Sequence, residues 1–242
     1  MAALAAWLRG LALTAVIYPA MAGFALWWLP AALRRPDGAP DAVRAYARFA
    51  RIAARVIAGI RTEVRGTVPS GGVLIAAKHQ SFLDILILVS VLERPRFIMK
   101  RELTRTPFIG WYALRIGCVP VDRGRRGEAV RQMLAGVASG RLAAGQVVIY
   151  PQGTRISPGV RAPYKIGAGA LYQELGQPCV PVATNVGLFW PRAGIAKRPG
   201  TGVVEFLEPI PPGLETDDVM IRLEREIERH SDALSAESAH GD

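Results

Sequence analysis

The chain is poor in the side chains most often tied to metal and redox chemistry, with two cysteines and three histidines in 242 residues. Cys118 and Cys179 lie far apart in separate apolar runs, which leaves paired-cysteine metal ligation and a disulfide framework without support. They read as buried small hydrophobes of a protein in a reducing compartment. Neither a metal nor a cofactor is called for. Lysine is scarce as well, four of thirty basic residues, so the positive charge is carried by arginine, the residue suited to gripping phosphate or carboxylate with two parallel bonds. No Gly-x-Ser-x-Gly run occurs, which counts against a serine hydrolase with a nucleophile elbow. Internal repeats and low-complexity tracts are missing too.

Acidic residues are rare over most of the length. Residues 1–204 carry 27 Lys and Arg against 9 Asp and Glu, whereas residues 205–242 carry 3 against 11. A basic body suits nucleic acid or an anionic membrane surface. Zinc spacing, an RNA-binding aromatic signature and a helix-turn-helix are all absent, so the reading is no nucleic acid and a membrane partner.

The N-terminal region fits that partner. Gly10 to Leu33 is a 24-residue stretch without a charge, and a helix needs roughly 20 residues to cross a bilayer core. Pro19 sits near its middle and predicts either a kinked spanning helix or two arms dipping into one leaflet. Ala20-Met21-Ala22 resembles a signal cleavage site, but the apolar run continues through Trp27 and Trp28, which suits a retained anchor. More positive charge follows the segment than precedes it, which predicts a body on the cytoplasmic face of the cell membrane. From Asp41 to Ile60, Arg44, Arg48, Arg51 and Arg55 recur at helical spacing and predict an arginine stripe facing anionic headgroups; an ordinary solvated helix face is the plainer alternative. Residues 1–60 are therefore expected to form a membrane-anchoring helical segment, and 61–242 a single domain.

Within that domain, strand-like runs at Glu63–Val68, Gly72–Ala77, Arg96–Met99, Cys118–Val121, Gln146–Tyr150, Cys179–Thr184 and Gly202–Leu207 alternate with helical ones. The helical runs are Leu83–Leu92, Phe108–Ile116, Glu128–Ala143, Ala168–Leu175 and Asp217–Leu234. The pattern predicts an α/β fold, a sheet flanked by helices with its functional loops at the strand ends.

His79 stands at the end of one predicted strand and Asp84 five positions on, in Lys78-His79-Gln80-Ser81-Phe82-Leu83-Asp84. An imidazole whose far nitrogen is held by a carboxylate is a general base in a fixed tautomer. The same two residues also fit a turn and the first turn of a helix, where a carboxylate complements the dipole. Ser81 and Cys118 lack the context of an activated nucleophile.

Three further segments border strands: Gly117-Cys118-Val119-Pro120-Val121-Asp122-Arg123, Tyr150-Pro151-Gln152-Gly153-Thr154-Arg155 and Cys179-Val180-Pro181-Val182-Ala183. Together with His79–Asp84, in this order, they resemble the glycerolipid acyltransferase family over roughly residues 60–210. The resemblance implies a mixed α/β sheet flanked by helices on the cytoplasmic membrane face. It also implies transfer of a fatty acyl group from acyl-CoA or an acyl-carrier protein to a lysophospholipid acceptor, lysophosphatidic acid above all. Glycerol 3-phosphate, another lysolipid, or a non-catalytic anionic-lipid-binding module are the alternatives. On the family pattern His79 is the base and Asp84 its orienting partner. Lys100, Arg123, Gln152, Gly153, Thr154, Arg155 and Lys165 fall to substrate binding, with Arg123 and Arg155 on the acceptor phosphate. One departure stands out: the family's third motif reads Glu-Gly-Thr-Arg, and this chain has Gln152 at the acidic position. An amide keeps the size but loses the charge, which predicts an altered acceptor pocket.

Overall fold

A computed structural model of the chain describes residues 1–122, 126–139 and 145–240. Seven strands form one sheet: β1 (Ile60–Arg65), β2 (Val73–Ala77), β3 (Pro95–Lys100), β4 (Val119–Val121), β5 (Gln146–Ile149), β6 (Cys179–Thr184) and β7 (Gly200–Phe206). Their spatial order is β1-β7-β6-β2-β5-β3-β4. β6, β2, β5, β3 and β4 are mutually parallel; β7 runs antiparallel to β6, and β1 pairs parallel to β7. The sheet is thus mixed, and β2 occupies its centre.

Central parallel strands need cover on both faces, and the sequence supplies it as unbroken apolar runs. Every residue of β2 is buried. Val73, Ile75 and Ala77 face one helical layer and Leu74 and Ala76 the other, as strand alternation requires. The first layer holds α1 (Ala2–Arg34), α2 (Gly38–Ala58), α3 (Phe82–Val91) and α4 (Ile109–Arg115). The second holds α5 (Arg126–Ala138), α6 (Gly167–Leu175) and α7 (Thr216–His240), with Leu171, Val219, Leu223 and Ile227 in its core.

The α/β elements fall close to the sequence expectations, and three features of the N-terminal region refine them. First, α1 is one 33-residue helix that contains both Pro19 and Pro30. A proline removes one ladder bond, and packing holds both sides. Ala6, Gly10, Leu13, Ile17, Ala25 and Ala32 form a buried stripe along the whole length. Leu13 and Ile17 are fully buried, worth about 1.5–3 kcal/mol each. Lys197 donates its amide to the Ala6 carbonyl at 2.9 Å, and the Tyr46 hydroxyl bonds the Ile17 carbonyl at 3.2 Å.

Second, α2 stops at Ala58, because Gly59 at φ +69° adopts the left-handed cap that ends a helix, and β1 starts at Ile60. Third, the arginine stripe is divided. Arg44 donates to the carbonyls of Leu92 and Glu93 beyond α3, and Arg51 to the hydroxyls of Thr62 and Ser90. Only Arg48 and Arg55 are exposed.

Candidate active site

His79 stands two residues beyond the end of β2, so the central strand delivers it to the carboxyl end of the sheet, where α/β folds gather their ligands. The loop is short because α3 begins at Phe82. Ser81 caps it: its Oγ accepts from the Leu83 amide at 3.1 Å, and Asp84 Oδ2 accepts from the Ser81 amide at 2.8 Å, a reciprocal capping box. Asp84 is 1% exposed. The same Oδ2 takes the Gln80 amide at 2.8 Å, while Oδ1 lies 2.9 Å from His79 Nδ1. One oxygen of Asp84 thus serves the helix cap and the other meets the imidazole. With Nδ1 engaged, Nε2 is the ring nitrogen left for proton transfer.

Tyr150, at the end of neighbouring β5, completes the arrangement. Its ring stacks on the His79 imidazole with centroids 3.9 Å apart and planes at 17°. Its hydroxyl donates to Asp84 Oδ1 at 3.2 Å. In the sequence Tyr150 reads as the end of a strand and the start of the third motif; its place just beyond β5, beside β2 in the sheet, is what brings it onto the imidazole. Ser81 is fully buried and committed to its cap, and burial pushes the Cys118 thiol up to about 12, so neither is an available nucleophile.

The third motif is tied to this pair through the backbone, since the Ile156 amide donates to the His79 carbonyl at 2.8 Å. Gly153 turns the chain at φ +72°, and a Cβ there would lie 2.7 Å from Lys165 Nζ. A side chain at 153 would strain the turn and displace that ammonium. The Lys165 amide bonds the Pro151 carbonyl at 2.9 Å, which closes the loop beside the glycine. Thr154, Arg155 and Lys165 are exposed on it. Arg192, which the sequence reading did not single out, reaches in from the segment after β6 and donates to the Arg155 carbonyl at 2.9 Å. Lys100 ends β3 at the same edge of the sheet, exposed and paired with Glu102 at 3.0 Å. Arg123 lies outside the described residues.

Gln152, unlike its motif neighbours Thr154 and Arg155, is buried. It is 4% exposed and turned toward α7, where its Nε2 lies 3.3 Å from Glu228 Oε1 and 3.3 Å from the Ala162 carbonyl. The same Glu228 oxygen accepts from Lys78 Nζ at 2.5 Å and from the Tyr164 hydroxyl at 2.9 Å. Arg161 bonds the other Glu228 oxygen and also Asp232. Lys78 is 3% exposed, so its ammonium needs a carboxylate, and the acidic group comes from α7. Among the described residues, the Oε1 of Gln152 has no hydrogen-bond partner. Burial first, and then the Glu228 charge, push the Tyr164 phenol up, so it stays a donor.

Comparison with known proteins agrees with this architecture. The Acyltransferase family model matches residues 60–185. A 1-acyl-sn-glycerol-3-phosphate acyltransferase of Pseudomonas aeruginosa is 37% identical over 161 residues, covering 66% of this chain and 63% of that protein. The alpha form of the same-named enzyme from Bos taurus is 34% identical over 180 residues, 72% of this chain and 62% of the relative. The chain thus spans a little under two thirds of these relatives' lengths. The crystal structure of the 1-acyl-sn-glycerophosphate (LPA) acyltransferase PlsC from Thermotoga maritima superposes with a TM-score of 0.80 at 19% identity, covering 98% of both chains, which establishes the shared fold. With more than half of its length matched by the family model and with this sheet, the chain belongs to the Acyltransferase family.

Proposed function

We propose that this protein transfers a fatty acyl group from an acyl thioester to the free hydroxyl of a lysophospholipid at a membrane surface, with His79 as the general base. The observation that carries the reading is the 2.9 Å contact between His79 Nδ1 and the buried Asp84, which fixes the imidazole with Nε2 available. A thioester is already activated, so the chemistry asks for a base of ordinary imidazole strength and no covalent nucleophile. The acceptor hydroxyl gives its proton to Nε2 as its oxygen attacks the thioester carbonyl. The tetrahedral intermediate then expels the thiolate, which takes the proton back from imidazolium, leaving an ester and a free thiol. Asp84 and Tyr150 hold the ring through both proton transfers.

The acceptor is assigned as 1-acylglycerol 3-phosphate, giving phosphatidic acid. The names of the Pseudomonas and Bos relatives support it, as does a loop that offers Gly153, Thr154, Arg155 and Lys165 to a phosphate beside the base. Arg123 and Lys100 complete the proposed acceptor side. The donor is acyl-CoA or an acyl-carrier protein. Residues 1–60 serve as the membrane anchor and 61–242 as the catalytic domain, facing the cytoplasm. α1 is long and apolar enough to cross a bilayer. Its bonds to the body at Ala6 and Ile17 favour a helix lying along the membrane surface instead.

The test is an assay of purified protein in detergent, with labelled acyl-CoA and acyl-carrier-protein thioesters against lysophosphatidic acid, glycerol 3-phosphate and neutral lysolipids. Transfer to lysophosphatidic acid well above the other acceptors is expected. A strong preference for a phosphate-free acceptor overturns the phosphate site.

A further inference from the structure

We infer that the segment Arg101–Arg115 is a second membrane contact, seated in the interface of an anionic bilayer beside α1. It begins as a 3₁₀ turn, Arg101–Arg105, after β3 and continues into α4. Leu103, Phe108, Trp111 and Leu114 are 41%, 37%, 38% and 49% exposed, an unusual concentration of large apolar side chains on so short a stretch. Phe108, Trp111 and Leu114 are spaced by three, so they share one face, while Gly110 and Tyr112 are buried on the other.

Phe108 is held outward at a cost. Its backbone sits at φ +61° and ψ −53° in a γ-turn closed by the Ile109 amide on the Pro107 carbonyl at 2.7 Å. That conformation is rare and strained for a residue with a side chain. Phe108 is the one positive-φ residue other than glycine among the described residues.

Two observations name the occupant. The apolar face is ringed by positive charge, with Lys100, Arg101, Arg105 and Arg115 all exposed and only Glu102 opposing them. Aromatic and apolar side chains set among basic ones are what an interface of anionic lipid binds. The face also adjoins α1. The Tyr112 hydroxyl bonds the Ala25 carbonyl at 2.7 Å, and Arg115 Nε bonds the Ala32 carbonyl at 2.8 Å. Leu26, Trp27 and Leu33, adjoining those bonded carbonyls along α1, are 60%, 83% and 58% exposed. The two apolar rows therefore flank the same joint, and a bilayer that receives one meets the other. Because β3 ends at the carboxyl edge of the sheet, this contact sets the candidate active site at the lipid surface from the side opposite β1.

The inference rests on the membrane reading of α1, and the experiment separates the two. Cys118 and Cys179 are buried, with thiols pushed up to about 12, so an introduced exposed cysteine is labelled selectively. Leu114→Cys on α4, Trp27→Cys on α1 and Ile221→Cys on α7 would each carry an environment-sensitive fluorophore. The full chain is then mixed with phosphatidylcholine–phosphatidylglycerol vesicles. We expect the probes at 114 and 27 to shift to the blue and lose access to aqueous iodide, and the probe at 221 to change in neither respect. A probe at 114 that stays accessible while the one at 27 is shielded overturns the second contact alone. Shielding at neither position defeats the membrane reading of α1 as well, and equal shielding at 221 marks aggregation and counts against both. As an independent check, Trp111→Ala/Leu114→Ala should lower turnover several-fold on acceptor presented in vesicles and leave it unchanged on a short-chain, water-soluble lysolipid. An equal loss on both substrates overturns the assignment.

Discussion

Lys78 and His79 are sequence neighbours at the end of β2, yet they are held on opposite faces of the sheet by carboxylates of different origin. His79 bonds Asp84, five residues away, in the first turn of the helix that follows it. Lys78 bonds Glu228, 150 residues away, in the last helix. The first pair is local and is tied to the motif loop through the His79 carbonyl. The second is buried, distant, and braced by Tyr164, Arg161 and Gln152. The comparison teaches that the end of β2 has two supports with separable purposes. One orients the His79 ring, and the other fixes the strand end and the Gln152–Lys165 loop against α7.

Removing the first support should end chemistry without unfolding. His79→Ala is expected to lower acyl transfer by about 100-fold or more, the scale of a lost general base, with a thermal melt close to that of the native protein. Removing the second should do the reverse. Glu228→Ala leaves a buried ammonium without a counter-charge and is expected to cost about 3–5 kcal/mol of stability, read as a lower urea midpoint, with turnover at low temperature largely retained. Loss of activity without loss of stability in Glu228→Ala would merge the two supports into one.

Asp84→Asn touches both purposes at once, since one oxygen holds the ring and the other caps α3. It should reduce turnover through a misoriented imidazole and destabilise by about 0.5–2 kcal/mol, as lost caps do. Arg155→Ala should raise the KM for the phosphate acceptor while the donor KM stays constant; equal damage to both makes Arg155 structural. The smallest effect and the sharpest discrimination belong to Gln152→Glu. Alone it buries a second carboxylate near Glu228, with Lys78 and Arg161 at hand to offset the repulsion and desolvation, and its net effect on stability should be small beside that of Glu228→Ala. Combined with Glu228→Gln it returns one carboxylate to the cluster and should recover at least half of the stability lost by Glu228→Gln. Failure of that rescue would show that the position of the charge, not its presence, matters to Lys78.

Legibility followed the same division. The α/β alternation, the strands and the His79–Asp84 pair were readable because each is encoded within a few residues, by apolar runs, a short loop and a capping signal. Tyr150 was not, because stacking on His79 depends on β5 lying beside β2, and strand order is a property of the whole sheet. Glu228 was hidden for the same reason: among the eleven acidic residues after 204, nothing local marks the one that meets Lys78. The surroundings of Gln152 were not legible either, because a motif position suggests the acceptor and does not show that the side chain turns into the interior toward α7. The arginine stripe was legible only in part. Helical spacing shows which residues share a face of α2 but not which of them α3 and β1 then claim.

The central claim, that His79 held by Asp84 drives acyl transfer, is tested most directly by a single comparison. Wild-type protein and His79→Ala, each purified in detergent and shown to melt alike, are given a labelled acyl thioester and lysophosphatidic acid, and phosphatidic acid is measured. The account predicts steady product from the wild type and a rate lower by about two orders of magnitude or more in the variant. Equal rates from the two proteins would contradict it.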